Sequence, residues 1–228
     1  MNRLAPVGRF VLGALISLSL PPYGLWALSP ICLGIYLKFS RHESFRRQLV
    51  NAFTLWMGYF TVALTWMTDL TIPGWVVATP VQAFIMAVPM ALVPWAGRGR
   101  SGAIPSALVV GESIRWVVPF GGVPMSSLAM GPIDTYLVDV VTVGGPLLLI
   151  GVIGLISVMV EGALLTQLRT VLGALLAVGI LLGVAQIAPG ASPEDVITAS
   201  VVQAGGDLGT RAATSCLLYT SPSPRDRG

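Results

Sequence analysis

Residues 146–187 read PLLLIGVIGLISVMVEGALLTQLRTVLGALLAVGILLGVAQI. Two apolar blocks, Pro146–Leu165 and Thr170–Ile187, are parted by a short polar turn, and the stretch carries only Glu161 and Arg169 as charged side chains. A helix needs about 20 predominantly apolar residues to cross the hydrocarbon core of a bilayer, with about 17 as the lower limit. Both blocks reach that length, and neither shows the polar stripe of a helix lying on a water-soluble core. Whole-chain composition points the same way: the 228 residues are 54% hydrophobic and 10% charged, with a mean hydropathy of +0.82. Soluble domains carry about 25% charged residues, so this chain lacks the charge to cover a surface facing water.

Working outward, five more apolar segments precede these two: Leu4–Leu20, Tyr23–Phe39, Leu49–Thr68, Ile72–Trp95 and Ala103–Phe120. The first two are short for a span, and Pro21-Pro22 forces a tight turn between them. Loop charge then alternates. Arg3 and Arg9 precede the first segment, Lys38, Arg41, Arg46 and Arg47 follow the second, Arg98 and Arg100 the fourth, and Arg169 the sixth. The opposite loops, around Pro21-Pro22, Asp69 and Gly121–Asp134, hold no Lys or Arg. Basic loops stay in the cytoplasm, so the asymmetry predicts a cytoplasmic N-terminus and a seventh segment that leads outward. The six Trp residues fall mostly near segment ends, where amphipathic rings anchor at the membrane interface.

Several function classes lose support. A net charge of +3 gathered in short loops reports orientation, and no basic-aromatic surface pattern suggests nucleic acid. Cys32 and Cys216 make neither a disulfide framework nor a metal site. Arg3 and Arg9 before an apolar run also fit a secretory signal, but no small-x-small cleavage pattern follows Leu20 and further spans do. No cofactor is expected, and the bundle is expected to be a monomer.

The informative polar residues inside a span are Glu112 and Arg115. Their i,i+3 spacing puts them on one helix face, where they can neutralise each other. A lone charge at the centre of a span costs about 2.5–3.5 kcal/mol on insertion scales. Two readings stand equal: an ion pair that pins the helix in the bundle, or a pair lining a cavity that admits lipid near the outer leaflet. Glu161 can snorkel or cap and needs no role, Asp69 is an ordinary loop carboxylate, and His42 beside four basic residues reads as solvated. Gly144, Gly151 and Gly154 suggest close helix packing, and Gly144-Gly145-Pro146 a break with Pro in the first turn of a helix. Ile133–Val143, with Asp134 and Asp139, reads as an interfacial segment on the outer face. No nucleophile lies beside a base.

Beyond Ile187 the character changes. Residues 188–195 form a Pro- and Gly-containing linker, and Val196–Gln203 is a β-prone run closed by Gly205-Gly206. One strand cannot fold alone, so residues 196–215 are expected to begin a longer outer domain. The fold class expected is thus an all-α polytopic membrane bundle over residues 4–187, of about seven transmembrane helices, followed by the first strand of a truncated α/β domain. Residues 216–228, with Cys216 and the Ser-Pro repeats, look like a translated sequencing adapter and are set aside from the fold.

The order of motifs resembles the apolipoprotein N-acyltransferase family of bacteria, over about residues 4–213. Ser19-Leu20-Pro21-Pro22-Tyr23-Gly24-Leu25-Trp26 looks like that family's early aromatic-Pro-Pro turn. Glu112-Ser113-Ile114-Arg115, then Phe120-Gly121-Gly122-Val123-Pro124, resembles its Glu-x-x-Arg and Gly-Phe-Pro-Trp signature. Val201–Gly206 with Gly209–Ala212 looks like the start of its nitrilase-like (carbon-nitrogen hydrolase) domain in the actinobacterial branch. Two positions depart: Val123 stands where the family usually has Phe, and Met125 where it usually has Trp.

The resemblance implies a multi-pass plasma-membrane enzyme. It transfers an acyl chain from a phospholipid donor to the α-amino group of a lipoprotein's diacylglyceryl-cysteine. It also implies a catalytic Cys, Glu and Lys, all beyond the position of Arg211, so the chain as given is expected to lack them and to be inactive. Glu112, Arg115 and Pro124 are the residues it would assign to substrate binding. The alternative is a small-substrate transporter or permease, for which Pro80, Pro89 and Pro94 would break the fourth segment.

Overall fold

A computed structural model of the chain describes residues 5–41, 43–94, 97, 99–119, 122 and 125–188. Among them are seven α-helices: α1 (Pro6–Ser17), α2 (Leu28–Phe39), α3 (Phe45–Ala63), α4 (Ile72–Leu92), α5 (Arg100–Arg115), α6 (Val141–Leu164) and α7 (Leu168–Ile187). Short 3-10 turns occupy Thr65–Asp69, Leu128–Met130 and Tyr136–Val140. Each helix answers to one apolar segment of the sequence. In lipid a helix satisfies its backbone hydrogen bonds within itself, which is why apolar blocks resolve into helices. The protein is a multi-pass helical membrane bundle.

Length separates the helices. α4, α6 with the turn before it, and α7 are long and apolar enough to cross a membrane on those grounds alone. α1 and α2 are apolar but only 12 residues each. α3 has 19 residues and carries Arg46 and Arg47 in its first turn. α4 begins at an N-cap, with the Thr71 hydroxyl accepting from the Gly74 amide, and runs unbroken through Pro80 and Pro89. It ends at Leu92, before Pro94, so the break expected of a transporter is absent from this helix. α6 does break near its start. Gly144 and Gly145 leave the helical region, Gly145 with φ 69° and ψ −174°, a conformation open essentially to glycine alone. Pro146 then opens the long apolar run.

The helices close into a ring. α1 packs on α3, α3 on α4, α4 on α5, α5 on α6, α6 on α2, and α2 back on α1. α7 stands outside it, touching α6 and the Tyr136–Val140 turn, with only Ala174 and Ala185 buried. The core holds Leu55, Trp56, Tyr59 and Phe60 of α3, Met86 of α4, and Ile104 and Leu108 of α5, all fully buried. α1 and α3 approach backbone to backbone: a Cβ on Gly13 would collide with the Leu55 carbonyl oxygen, and one on Gly58 with that of Phe10. Of the three glycines expected at close contacts, Gly154 lies against Pro105 of α5. Gly151 has only ordinary contact there, and Gly144 meets Leu148 of its own helix.

The mixed fold class is corrected. Every regular element among the described residues is helical, and no strand occurs among them. The Val196–Gln203 run on which the truncated α/β, nitrilase-like part rested lies outside the described residues. The physical reason for setting it aside is the one that limited it from the start: a single strand has no partner for its edge hydrogen bonds. The fold is all-α.

Candidate functional site

α5 turns its last two helical turns inward. Glu112 and Arg115 are both fully buried, and Arg115 Nη1 donates to Glu112 Oε2 at 2.7 Å. Arg115 Nε donates to Gln82 Oε1 of α4 at 2.7 Å, and Nη2 to the Met125 carbonyl at 3.1 Å. The guanidinium lies over the Phe60 ring of α3, 4.5 Å from its centroid, a cation–π contact strengthened where water is absent. Phe60 is itself set by Trp56, one turn earlier on α3, and by the adjacent Tyr59, whose ring stands edge-on to it at 4.8 Å. Glu112 Oε1 is buried and accepts no hydrogen bond among the described residues.

The cluster reaches out to hold a turn. Tyr59 donates its phenol hydroxyl to the Ser126 carbonyl at 2.9 Å, and Ser126 Oγ donates to the Ala63 carbonyl at 2.7 Å. Ser126 has φ 59°, a region non-glycine residues seldom enter and hold only when surroundings over-determine it. Three bonds from α3 and α5 onto Met125 and Ser126 supply that constraint. Beyond it, Gly131 packs against Ser19, so the Leu128–Met130 turn abuts the turn between α1 and α2. Met125, Ile133 and Tyr136 leave exposed apolar side chains at this end.

A family model for the apolipoprotein N-acyltransferase N-terminal domain matches residues 12–159, about two thirds of the chain. The chain belongs to this family. No curated protein matches it. The match runs from the middle of α1 into α6 and so takes in the whole buried cluster. In this N-acyltransferase domain the Pro21-Pro22 turn and the Leu128–Gly131 turn, far apart in sequence, come together at one end of the bundle.

Of the sequence-predicted site residues, Glu112 and Arg115 are joined, while Pro124 lies outside the described residues. Neither Glu112 nor Arg115 reaches the surface, and among the described residues no proton acceptor stands beside a nucleophile. Cys32 is buried within α2. Sequence reasoning missed Gln82, Tyr59, Phe60 and Ser126. Gln82 had one signal, an amide alone in the apolar run of α4. Ser126 had none.

A second charged cluster sits at the other end of the N-acyltransferase bundle. Glu161 of α6, read from sequence as needing no role, is buried, and its Oε1 accepts from Arg41 Nε at 2.8 Å and Arg100 Nη2 at 3.1 Å. Arg100 also donates to the carbonyls of Leu37 and Pro94. One carboxylate thus ties together the ends of α2, α5 and α6.

Proposed function

We propose that this chain is the membrane portion of an apolipoprotein N-acyltransferase. In that reaction an acyl chain passes from a phospholipid to the α-amino group of a lipoprotein's diacylglyceryl-cysteine. The observation that carries the proposal is the family match across six consecutive helices. The N-terminus lies in the cytoplasm and the end of the bundle bearing Pro21-Pro22 and Met125–Met130 faces outward, as the arginine-free loops there support. Both lipid substrates are received at that outer end, beside the exposed side chains of Met125, Ile133 and Tyr136. Glu112 and Arg115 serve substrate binding by holding the Met125–Ser126 turn in place, and Pro124 belongs to the same segment by sequence. Transfer chemistry is assigned elsewhere, since the described residues offer no activated nucleophile.

The test uses the full chain in nanodiscs containing a phospholipid with a photoreactive diazirine in its acyl chain. Labelled peptides are expected from residues 19–26 and 125–136. Labelling confined to the opposite end, or spread evenly over α7, would overturn the assignment. The same chain is expected not to rescue a strain depleted of its acyltransferase; rescue would show that transfer chemistry resides in it.

A further inference from the structure

The turn after α5 leaves one side chain outside the protein. Of the four residues from Met125 to Leu128, Met125 is 54% exposed while Ser126, Ser127 and Leu128 are buried. Ser126, at φ 59°, bends the chain immediately after Met125 through the left-handed region, where a Cβ crowds the backbone. Both peptide carbonyls at the bend are held from the bundle: that of Met125 by Arg115 and that of Ser126 by Tyr59.

The bonds onto Ser126 come from one face of one helix. Tyr59 and Ala63 stand one turn apart on α3, where i,i+4 neighbours share a side. Tyr59 donates its hydroxyl to the Ser126 carbonyl at 2.9 Å, and the Ala63 carbonyl accepts from Ser126 Oγ at 2.7 Å. The Tyr59 ring is fully buried and meets Trp56 and Phe60 edge-on, with centroids 5.5 and 4.8 Å away. Its helix is pinned in turn against α1, where a Cβ on Gly13 would lie 2.8 Å from the Tyr59 amide nitrogen. The hydroxyl thus comes from a fixed ring on a fixed helix. For packing alone a phenylalanine would serve, as Phe60 does beside it; the oxygen of Tyr59 is used on the turn.

We infer that Tyr59 and Ser126 are positioning residues: acting through the left-handed bend, they direct the Met125 side chain outward as a contact for the acyl chain of the phospholipid donor. The inference rests on the reading that lipid is received at this end of the bundle. Methionine suits such a contact, because it is unbranched, turns about three bonds and carries a polarisable sulfur. It can therefore follow acyl chains of differing shape.

The full chain is placed in nanodiscs with a phospholipid bearing a diazirine in its acyl chain. Label on Met125 is measured relative to label on Ile133 and Tyr136 of the same molecules, a ratio that loss of folded protein does not move. Tyr59→Phe keeps the ring and removes the hydroxyl, and the ratio is expected to fall about fivefold, the worth of one hydrogen bond. Ser126→Gly and Ser126→Val both lose the bond to Ala63, but glycine takes up φ 59° freely and valine does not. The ratio should fall about twofold in Ser126→Gly, and at least as far in Ser126→Val as in Tyr59→Phe. An unchanged ratio in Tyr59→Phe, or equal ratios in the two Ser126 variants, overturns the inference alone. No label on any of the three residues in the wild-type chain overturns it together with the reading of the outer end.

Discussion

Removing Arg115 from its setting would strand, among others, the Glu112 carboxylate, the Gln82 amide oxygen and the Met125 carbonyl. Breaking a buried ion pair from one side costs about 3–5 kcal/mol because an unpaired charge stays behind, whereas replacing both partners with apolar groups is often far milder. Arg115→Met should therefore unfold at a distinctly lower temperature in detergent, and Glu112→Leu combined with Arg115→Met should recover part of the loss. Purely additive single effects in that cycle would show that the two side chains are not coupled. Sequence spacing made the pair itself legible, since i,i+3 neighbours share a face whatever surrounds them. It gave no access to Gln82, Tyr59 or Ser126, whose bonds to the cluster span 33 to 67 positions.

Among elements, the apolar blocks were legible because lipid imposes one rule on every span, and each block became a helix. Helix ends were less so: α5 stops at Arg115 although its apolar segment continues to Phe120. Close approaches were least legible, because a glycine in an apolar helix reads alike whether it faces lipid or a neighbouring backbone. Gly58 and Gly173 separate the two cases. A side chain at Gly58 meets the Phe10 backbone, while one at Gly173 meets nothing within 4 Å. Gly58→Val should destabilise by about 1–3 kcal/mol, the usual range for overpacking, with Gly173→Val close to wild type. Equal melting temperatures for the two variants would mean that α1 and α3 do not approach as described. The strand expected at Val196–Gln203 lies outside the described residues, whose regular elements are all helical; a β-prone run of eight residues carries no information about a partner strand.

Over the whole molecule, Glu161 ties α2 and α5 to α6 and so closes two sides of the ring. Glu161→Gln leaves Arg41 and Arg100 facing a neutral amide and should destabilise by about 3–5 kcal/mol. Arg41→Gln keeps the Arg100–Glu161 pair and should be milder. Thermal unfolding at low and high salt checks both, with little salt dependence expected for Glu161→Gln because buried pairs are poorly screened. The ring was not legible in the sequence: hydropathy counts helices but does not say that the second meets the sixth. That neighbour relation has a temporal side. As the chain is synthesised, α2 enters the membrane more than 100 positions before the α6 segment that covers it, so the bundle stays open while α3, α4 and α5 arrive. Closure waits on the sixth helix, and the seventh joins a ring already shut.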